Sequence, residues 1–325
     1  MLVYNAHSST KDKIKLKITI LSKEVMIMEK QFYSLTDPQK SIWYTEKYFQ
    51  GTNMNNICGT MTIKVPVDFE KLIVAIKQFV KQNDGCRIMF SRQTDQKQYV
   101  APFEDFEIEV LDVKNNEEVM TLANQIVSKP FTLYDSYLFR FVLYRFADNH
   151  GGFVINMHHL ISDSWTLGIL VNEIVSNYAS LLKEEPITLK NSGDYSYLNY
   201  IASEEEYKKS TKYEKDRQYW AQKFETIPEI ASIPILSSKT VSNEEVSDSM
   251  KENLENLQAN REELSISSSL LEEIKDFCAS YKVSLFNFLT AIYAIYVGRV
   301  SNLEDFCFGT PILNHSNYKE QATVG

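Results

Sequence analysis

The hydrophobic and polar positions of the chain follow two periods, one typical of helices and one typical of strands. Apolar residues at helical spacing predict helices over residues 37–50, 68–82, 117–128, 167–182, 204–225, 270–281 and 285–300. Short runs rich in β-branched and aromatic residues predict strands over residues 59–65, 86–91, 98–101, 106–110, 137–145, 153–157, 264–266 and 306–309. Helices and strands mixed in this way predict an α+β fold.

These elements form two groups, which are separated by a polar stretch that contains a proline and a glycine. We therefore expect an N-terminal lobe over residues 28–185 and a partial C-terminal lobe over residues 186–325. Residues 1–27 alternate lysines with apolar residues and lack the apolar core of a signal peptide, so we interpret them as a tail or alternative-start segment. Residues 237–263 are polar and poorly periodic, which predicts a loop or a mobile crossover.

The densest cluster of titratable groups lies between the strand predicted at 153–157 and the helix predicted at 167–182. It contains His158, His159 and Asp163. Adjacent strand residues point to opposite faces, so we expect one histidine to face a substrate and the other the scaffold. Asp163 is placed to cap the helix, and its carboxylate could accept a hydrogen bond from an imidazole or pair with an arginine. Acid–base chemistry, a metal site without a recognisable third ligand, and a purely structural role are all compatible with this pattern.

Composition excludes several classes of protein. The net charge of the 325-residue chain is −9 and no long basic block occurs, so we do not expect a nucleic-acid partner. No apolar run reaches the ~20 residues of a membrane helix, and the longest run, residues 286–297, is typical of a buried helix. The four cysteines show neither paired nor ligand spacing, which predicts a reduced, cytoplasmic protein without a metal.

Five segments carry a resemblance to a known family. HHLISDSW at residues 158–165 resembles the HHxxxDG motif of the condensation domains of nonribosomal peptide synthetases. In the expected order, other family motifs are similar to SLTDPQKSIW at 34–43, DGCRIMF at 84–90, YLNY at 197–200 and FGTP at 308–311. The resemblance extends over about residues 28–325.

The resemblance implies a two-lobed fold shared with chloramphenicol acetyltransferase. The family's domain continues past the motif that begins at residues 323–325, so the resemblance implies a complete first lobe and an incomplete second lobe. It also implies formation of an amide bond between an acyl donor and an aminoacyl acceptor. Both substrates would be carried on the phosphopantetheine arms of carrier proteins, with adjacent synthetase domains as further partners and no cofactor bound directly.

The family's motifs assign roles to individual residues. His159 is expected to be the base or positioning group, and His158 is expected to be structural. Asp163 is expected to stay ionised and to pair with Arg87 of the second motif. Ser164 replaces the family's glycine and would narrow the site if that glycine geometry is needed. Trp165 opens an amphipathic helix, so we expect it in the core.

Several alternatives stay open. Asn83 and Asn199 replace a His and an Asp of the family's second and fourth motifs, which favours a non-catalytic or truncated remnant that binds a carrier protein. A stand-alone acyl-CoA-dependent acyltransferase and an epimerisation domain share the histidine motif. A heterocyclisation domain is set aside, because it would carry Asp in place of the first His.

Overall fold

The computed structural model describes residues 30–94, 96–190, 193–228, 231, 263–315 and 317–325. The chain divides into two units, Met1–Gln31 and Phe32–Gly325. Only residues 30 and 31 of the first unit are described, and they have no regular secondary structure. The predicted tail at 1–27 and nearly all of the predicted loop at 237–263 lie outside the described residues. The boundary predicted between residues 185 and 186 stays a prediction.

Helices and strands alternate through the first half of the second unit, and helices dominate its second half. The helices are α1 (Asp37–Tyr48), α2 (Phe69–Gln82), α3 (Asn116–Val127), α4 (Ser164–Leu182), α5 (Tyr197–Lys209), α6 (Thr211–Lys223), α7 (Ser268–Tyr281), α8 (Leu285–Ser301) and α9 (Tyr318–Gln321), with a 3-10 turn at Asp84–Arg87. The strands are β1 (Tyr33–Ser34), β2 (Asn56–Ile63), β3 (Ile88–Phe90), β4 (Lys97–Val100), β5 (Glu109–Asp112), β6 (Phe139–Arg145) and β7 (Gly151–His158). The α+β prediction is confirmed.

The larger sheet places the histidine-bearing strand at its centre. Its order is β2-β7-β6-β5, with antiparallel pairs except for the parallel pair β5 and β6. All residues of β7 are buried, as expected for a strand covered on both faces. Gly152 permits the close approach of β2, because a Cβ there would lie 1.8 Å from the carbonyl oxygen of Met61. The smaller sheet, β1-β4-β3, is entirely antiparallel.

Helices α2 and α4 pack together and hold the start of α4 at the end of β7. Asp68 caps α2 by accepting a hydrogen bond from the backbone N–H of Lys71 at 3.0 Å. The apolar face of α2 includes Ile76 and Phe79, which are fully buried, and that of α4 includes Ile174. Truncation of such a core phenylalanine to alanine typically costs about 3–5 kcal/mol. This packing fixes the strand-to-helix corner on which the histidine motif lies.

The charged helix predicted at 204–225 is wrong in its extent and in its buried face. Two helices, α5 and α6, meet at Ser210, whose hydroxyl caps α6 by accepting from the N–H of Tyr213 at 3.1 Å. The aromatic residues of this segment predict a buried face that includes Tyr219, Trp220 and Phe224, but all three are exposed. Trp220 and Phe224 instead stack on each other, with ring centroids 5.8 Å apart. Two aromatic side chains at helical spacing can thus stack on each other on an exposed helix surface.

The helices predicted near the end of the chain form, but their surroundings differ from the prediction. Helix α8 was expected to be buried, yet Val297 is its buried residue and most of its large apolar side chains are exposed. Ser269 and Glu272 match the capping-box pattern in the sequence, but Ser267 caps α7. The strands predicted at 264–266 and 306–309 do not form as strands. Phe306 forms an isolated bridge, but neither segment belongs to a sheet among the described residues.

Among the described residues, no single helix is long and apolar enough to cross a membrane. Helices α7 and α8 reach that length and composition only when they are taken together, and they are bent by 101°.

Candidate active site

The end of β7 separates the two histidines onto opposite faces, as their adjacency predicts. The side chain of His158 is buried, with 2% of the residue exposed, whereas His159 is exposed at the following turn. The N–H of His159 donates to the carbonyl of Asn55 at 2.8 Å, so the backbone still pairs beyond the last strand residue. The corner is therefore rigid while its two imidazoles have different surroundings.

His158 belongs to a buried hydrogen-bond network with Glu46 of α1. The N–H of Leu160 donates to Nδ1 of His158 at 3.1 Å, which places the imidazole proton on Nε2. That Nε2 lies 3.2 Å from Oε2 of Glu46, which also accepts from Nδ2 of Asn55 at 2.8 Å. Burial alone would raise the pKa of Glu46, but the hydrogen bonds from His158 and Asn55 lower it below its ordinary value. His158 is thus held by the scaffold.

His159 presents a free ring nitrogen. Its Nδ1 lies 2.8 Å from the carbonyl oxygen of Ser162. A carbonyl can only accept, so Nδ1 carries the proton and Nε2 carries the lone pair. Nε2 has no hydrogen-bond partner among the residues that the structure describes. An imidazole oriented in this way can accept a proton from a neighbouring group.

Asp163 caps α4. Its Oδ1 accepts from the N–H of Thr166 at 2.7 Å, and its carbonyl accepts from Leu167 at 3.2 Å. The predicted capping role is confirmed. The carboxylate is half-buried and lies near Tyr197, Tyr200 and His315, whose pKa values its charge raises in part.

The ion pair that the family resemblance implies between Asp163 and Arg87 is absent from the described part of the chain. Arg87 ends the 3-10 turn, and its Nη1 donates to the carbonyl of Ala101. The Nε of Arg87 is buried and has no hydrogen-bond partner among the described residues. Arg87 therefore joins the 3-10 turn to the residue that follows β4 instead of holding the histidine corner.

Ser164 and Trp165 form the first turn of α4, and both are exposed. Ser164 is not among the residues with positive φ, so its helical backbone imposes no need for glycine. The expectation that Trp165 lies in the core is wrong, since 45% of it is exposed. Its Nε1–H donates to the carbonyl of Gln321 at 2.7 Å. The indole thereby joins the start of α4 to α9, 156 residues later in the chain.

A cavity of about 770 Å³ opens beside this corner. Its lining includes the exposed members of the motif, the first helix and the segment around residue 313. These residues are Thr36, Pro38, Gln39, Ile42, Ile57, His159, Leu160, Ser162, Asp163, Ser164, Trp165, Tyr197, Tyr200, Pro311, Ile312, Leu313, Asn314, His315 and Gly325. The structure therefore brings together His159, Asp163, Ser164 and Trp165, and it places His158 and Arg87 outside this lining.

Gln39 of α1 lines the cavity and connects α1 to neighbouring parts of the fold. Thr36 and Gln39 match the capping-box pattern in the sequence and form that box, with the N–H of Thr36 donating to Oε1 of Gln39 at 3.0 Å. Nε2 of Gln39 donates to the carbonyl of Leu160 at 3.0 Å and to Oε1 of Gln98 at 2.9 Å. The Gln of the opening motif thus connects helix α1, strand β4 and the loop after the histidines.

Tyr197 and Tyr200 of α5 line the cavity, and the sequence pattern assigned neither of them a role. The rings of Tyr197 and Tyr200 stack with centroids 5.6 Å apart. Burial raises the pKa of both phenols, despite hydrogen bonds from Thr36 and Asn314 that act in the opposite sense. Both phenols therefore stay neutral at physiological pH. Their place in the segment YLNY, which resembles the family's fourth motif, was the signal available in the sequence.

The comparison with known proteins decides the family. The sequence matches the condensation-domain family over residues 29–325. The chain belongs to this family.

Curated relatives of this condensation domain are peptide synthetases. Surfactin synthase subunit 1 of Bacillus subtilis (strain 168) is 31% identical over 306 residues, which are 92% of this chain and 8% of that protein. The dimodular nonribosomal peptide synthase of the same organism is 22% identical over 286 residues, which are 86% of this chain and 11% of that protein. The condensation domain thus spans only a small part of the length of these relatives.

Solved structures with the same fold are condensation domains as well. The condensation domain from the monacolin K polyketide synthase MokA matches with a TM-score of 0.73 at 15% identity, covering 91% of this chain and 65% of that chain. The first condensation domain of the calcium-dependent antibiotic synthetase matches with a TM-score of 0.72 at 15% identity, covering 91% and 67%. A variant of the starter condensation domain of rhizomide synthetase, in complex with C8-CoA, matches with a TM-score of 0.58 at 19% identity, covering 65% and 49%. These likenesses confirm the predicted chloramphenicol acetyltransferase-like fold.

The two asparagines that depart from the family's motifs form hydrogen bonds within this condensation domain. Nδ2 of Asn83 donates to Oε2 of Glu173 at 2.9 Å, so it joins α2 to α4. Nδ2 of Asn199 donates to the carbonyl of Gly193 at 2.7 Å. Asp84 accepts from the N–H of Tyr197 at 2.9 Å and thereby fixes the start of α5. The two asparagines are thus integrated into the fold, and neither lines the cavity.

Within the described residues, no group of three or more His, Cys, Asp or Glu side chains is arranged to hold a metal ion. The chemistry that the cavity supports without a metal is proton transfer at His159. An imidazole with a free lone pair beside this cavity can accept a proton from a bound group.

Proposed function

We propose that this condensation domain forms an amide bond between an acyl thioester donor and the α-amine of an aminoacyl thioester acceptor. The observation that carries the proposal is the free Nε2 of His159, a residue that lines the cavity and whose tautomer is fixed by the carbonyl of Ser162. Membership of the family and the synthetase relatives support the substrate class.

The reaction needs one proton acceptor. The acceptor reaches the cavity as an ammonium, and its first proton goes to water, which leaves the Nε2 lone pair of His159 available for the second proton. The neutral amine nitrogen attacks the donor carbonyl carbon, and Nε2 of His159 takes the second proton as the C–N bond forms. The C–S bond of the donor then breaks, and the imidazolium returns its proton to the leaving thiolate. The products are an amide on the acceptor arm and a free thiol on the donor arm.

The other motif residues serve this step through geometry. Asp163 fixes the start of α4 by capping it. His158 and Glu46 hold the end of β7 through their buried hydrogen bond. These are positioning roles, since a rigid corner keeps Nε2 within reach of the reacting nitrogen.

Carrier proteins are the partners we propose. The relatives are long synthetases, of which this domain spans 8% and 11%, so substrates presented on phosphopantetheine arms and adjacent synthetase domains fit the same context. The domain itself would bind no cofactor, and the two thioesters would enter as substrates.

An acyl-CoA donor is a second candidate. The observation that favours it is the structural likeness to the starter condensation domain that was solved in complex with C8-CoA. The acceptor half of the reaction and the role of His159 are the same in both cases. Only the carrier of the donor differs.

The test is an assay of the 325-residue chain with an aminoacyl-loaded carrier protein as acceptor. The donor is an octanoyl group on a carrier protein in one arm and octanoyl-CoA in the other, and mass spectrometry of the acceptor arm detects the amide. His159→Ala is the inactive variant, and His150→Ala is the matched control, because His150 lies at the turn between β6 and β7 and stacks on Phe146.

We expect product from the wild type and from His150→Ala, and about 10²–10⁴-fold slower product formation from His159→Ala. Product from the carrier-bound donor alone supports the first candidate, and product from octanoyl-CoA supports the second. Absence of amide in both arms, from a chain that unfolds cooperatively and binds the carrier protein, would refute catalysis and leave a carrier-binding module.

A further inference from the structure

A second histidine lines the cavity beside the motif, and it belongs to none of the motifs that carry the family resemblance. His315 lies in the segment between α8 and α9. Its Nδ1 is buried and has no hydrogen-bond partner among the described residues. Its Nε2 makes no hydrogen bond within the described ranges and is not buried. This nitrogen is therefore open to a ligand.

Aromatic packing fixes the ring of His315. The ring lies against that of Tyr200 with centroids 5.7 Å apart and an interplanar angle of 75°. The neighbouring Asn314 donates to the phenol of Tyr200 at 3.3 Å, which ties the segment to α5. Burial lowers the pKa of His315, although the charges of Asp163 and Glu320 act in the opposite sense. The imidazole is therefore mainly neutral at pH 7, and a ligand that donates a hydrogen bond to Nε2 selects the tautomer that carries its proton on Nδ1.

The charge of the cavity selects the kind of group that this lone pair can bind. Among the described residues of the lining, Asp163 is the only Asp, Glu, Lys or Arg. The lining therefore combines one carboxylate with the lone pairs of two imidazoles. A cation that donates hydrogen bonds matches this surface, whereas an anion would be repelled by Asp163. The α-ammonium of the acceptor is such a cation, since free α-amines have a pKa of about 7.7–8.0.

We propose that Nε2 of His315 accepts a hydrogen bond from the α-ammonium of the acceptor, so that His159, His315 and Asp163 form one amine subsite. This inference rests on the proposed function, because the acceptor amine is a substrate only in that reaction. Two lone pairs from different parts of the chain hold the nitrogen more firmly than one. After the proton leaves, His315 keeps the amine oriented while His159 takes the second proton.

The test measures binding and needs no turnover. An aminoacyl pantetheine amide, which is stable to hydrolysis and to condensation, is titrated into the 325-residue chain by calorimetry at pH 7. Its N-acetylated counterpart lacks the ammonium and serves as the ligand control. His315→Phe keeps the aromatic contact with Tyr200 and removes both nitrogens, and His150→Phe is the matched protein control.

We expect the wild type to bind the ammonium ligand more tightly than the acetylated ligand. His315→Phe should weaken the ammonium ligand by about tenfold or more and leave the acetylated ligand unchanged, as for a lost hydrogen bond to a charged group. His150→Phe should change neither. Equal binding of the ammonium ligand by wild type and His315→Phe would overturn the inference, as would a wild type that does not distinguish the two ligands.

A pair of amide variants covers the case in which His315→Phe does not fold. The amide of His315→Gln reaches the position of Nε2, and that of His315→Asn reaches the position of Nδ1. We expect the Gln variant to bind the ammonium ligand more tightly than the Asn variant, and equal or reversed affinities would overturn the inference. The condensation assay described above fails or succeeds separately, so the two proposals can be told apart.

Discussion

The two adjacent histidines should separate stability from activity. His158→Ala removes the hydrogen bond to the carboxylate of Glu46 and the acceptor of the Leu160 N–H. A hydrogen bond to a charged group contributes about 1.5–3 kcal/mol, and an unsatisfied buried backbone donor costs about 1–3 kcal/mol. Glu46 also stays buried with Asn55 as its remaining partner of this network. We therefore expect a loss of about 3–5 kcal/mol in the free energy of unfolding, the range seen when one member of a buried pair is removed.

His159→Ala is the matched comparison. Its ring is exposed and its single hydrogen bond is to a backbone carbonyl, so we expect a loss of about 0.5–1.5 kcal/mol. Urea unfolding at pH 7, followed by circular dichroism, measures both values. A His158→Ala change below about 1 kcal/mol, or a His159→Ala change as large as that of His158→Ala, would refute the assignment of the scaffold role to His158.

Three further predictions concern the same fold. The folded-state pKa of Glu46 is lowered, so its contribution to stability is present above the unfolded value of 4.5 and is lost as pH falls; Glu46→Gln should flatten this dependence in acid unfolding. Gly85→Ala should destabilise, because a Cβ there meets a backbone oxygen at 1.9 Å, whereas Gly168→Ala in α4 meets nothing within 4 Å and should stabilise by about 0.5–1 kcal/mol in thermal melts. Burial raises the pKa of Cys86 to about 12, so a maleimide should label exposed Cys307 rapidly and Cys86 only after unfolding; rapid labelling of native Cys86 would contradict the packing.

Local patterns were sufficient to predict the site's corner. The strand period of two placed His158 and His159 on opposite faces, and the preference of Asp for helix starts placed Asp163 at the cap of α4. The capping box of Thr36 and Gln39 is equally local. Each of these features depends on near neighbours in the chain, which is why the sequence alone contains them.

Features that depend on distant partners were not predictable from local patterns. Glu46 lies on a helix with a polar pattern, and its burial follows from His158, which is 112 residues away in the chain. The bond of Trp165 to the carbonyl of Gln321 spans 156 residues, so no local pattern contains it. The burial expected for α8 was wrong because an apolar composition does not reveal what covers a helix. The partner of Arg87 was not predictable either. Its Nη1 donates to the carbonyl of Ala101 and not to the expected carboxylate of Asp163.

The most direct test of the central claim is the single-turnover rate of amide formation for the wild type and for His159→Ala, with saturating acyl- and aminoacyl-loaded carrier proteins. Removal of a positioned general base typically lowers the rate by about 10²–10⁴-fold, and we predict a decrease in that range while the variant stays folded at the assay temperature. A His159→Ala rate within about threefold of the wild type would contradict the claim that the free Nε2 of His159 accepts the proton.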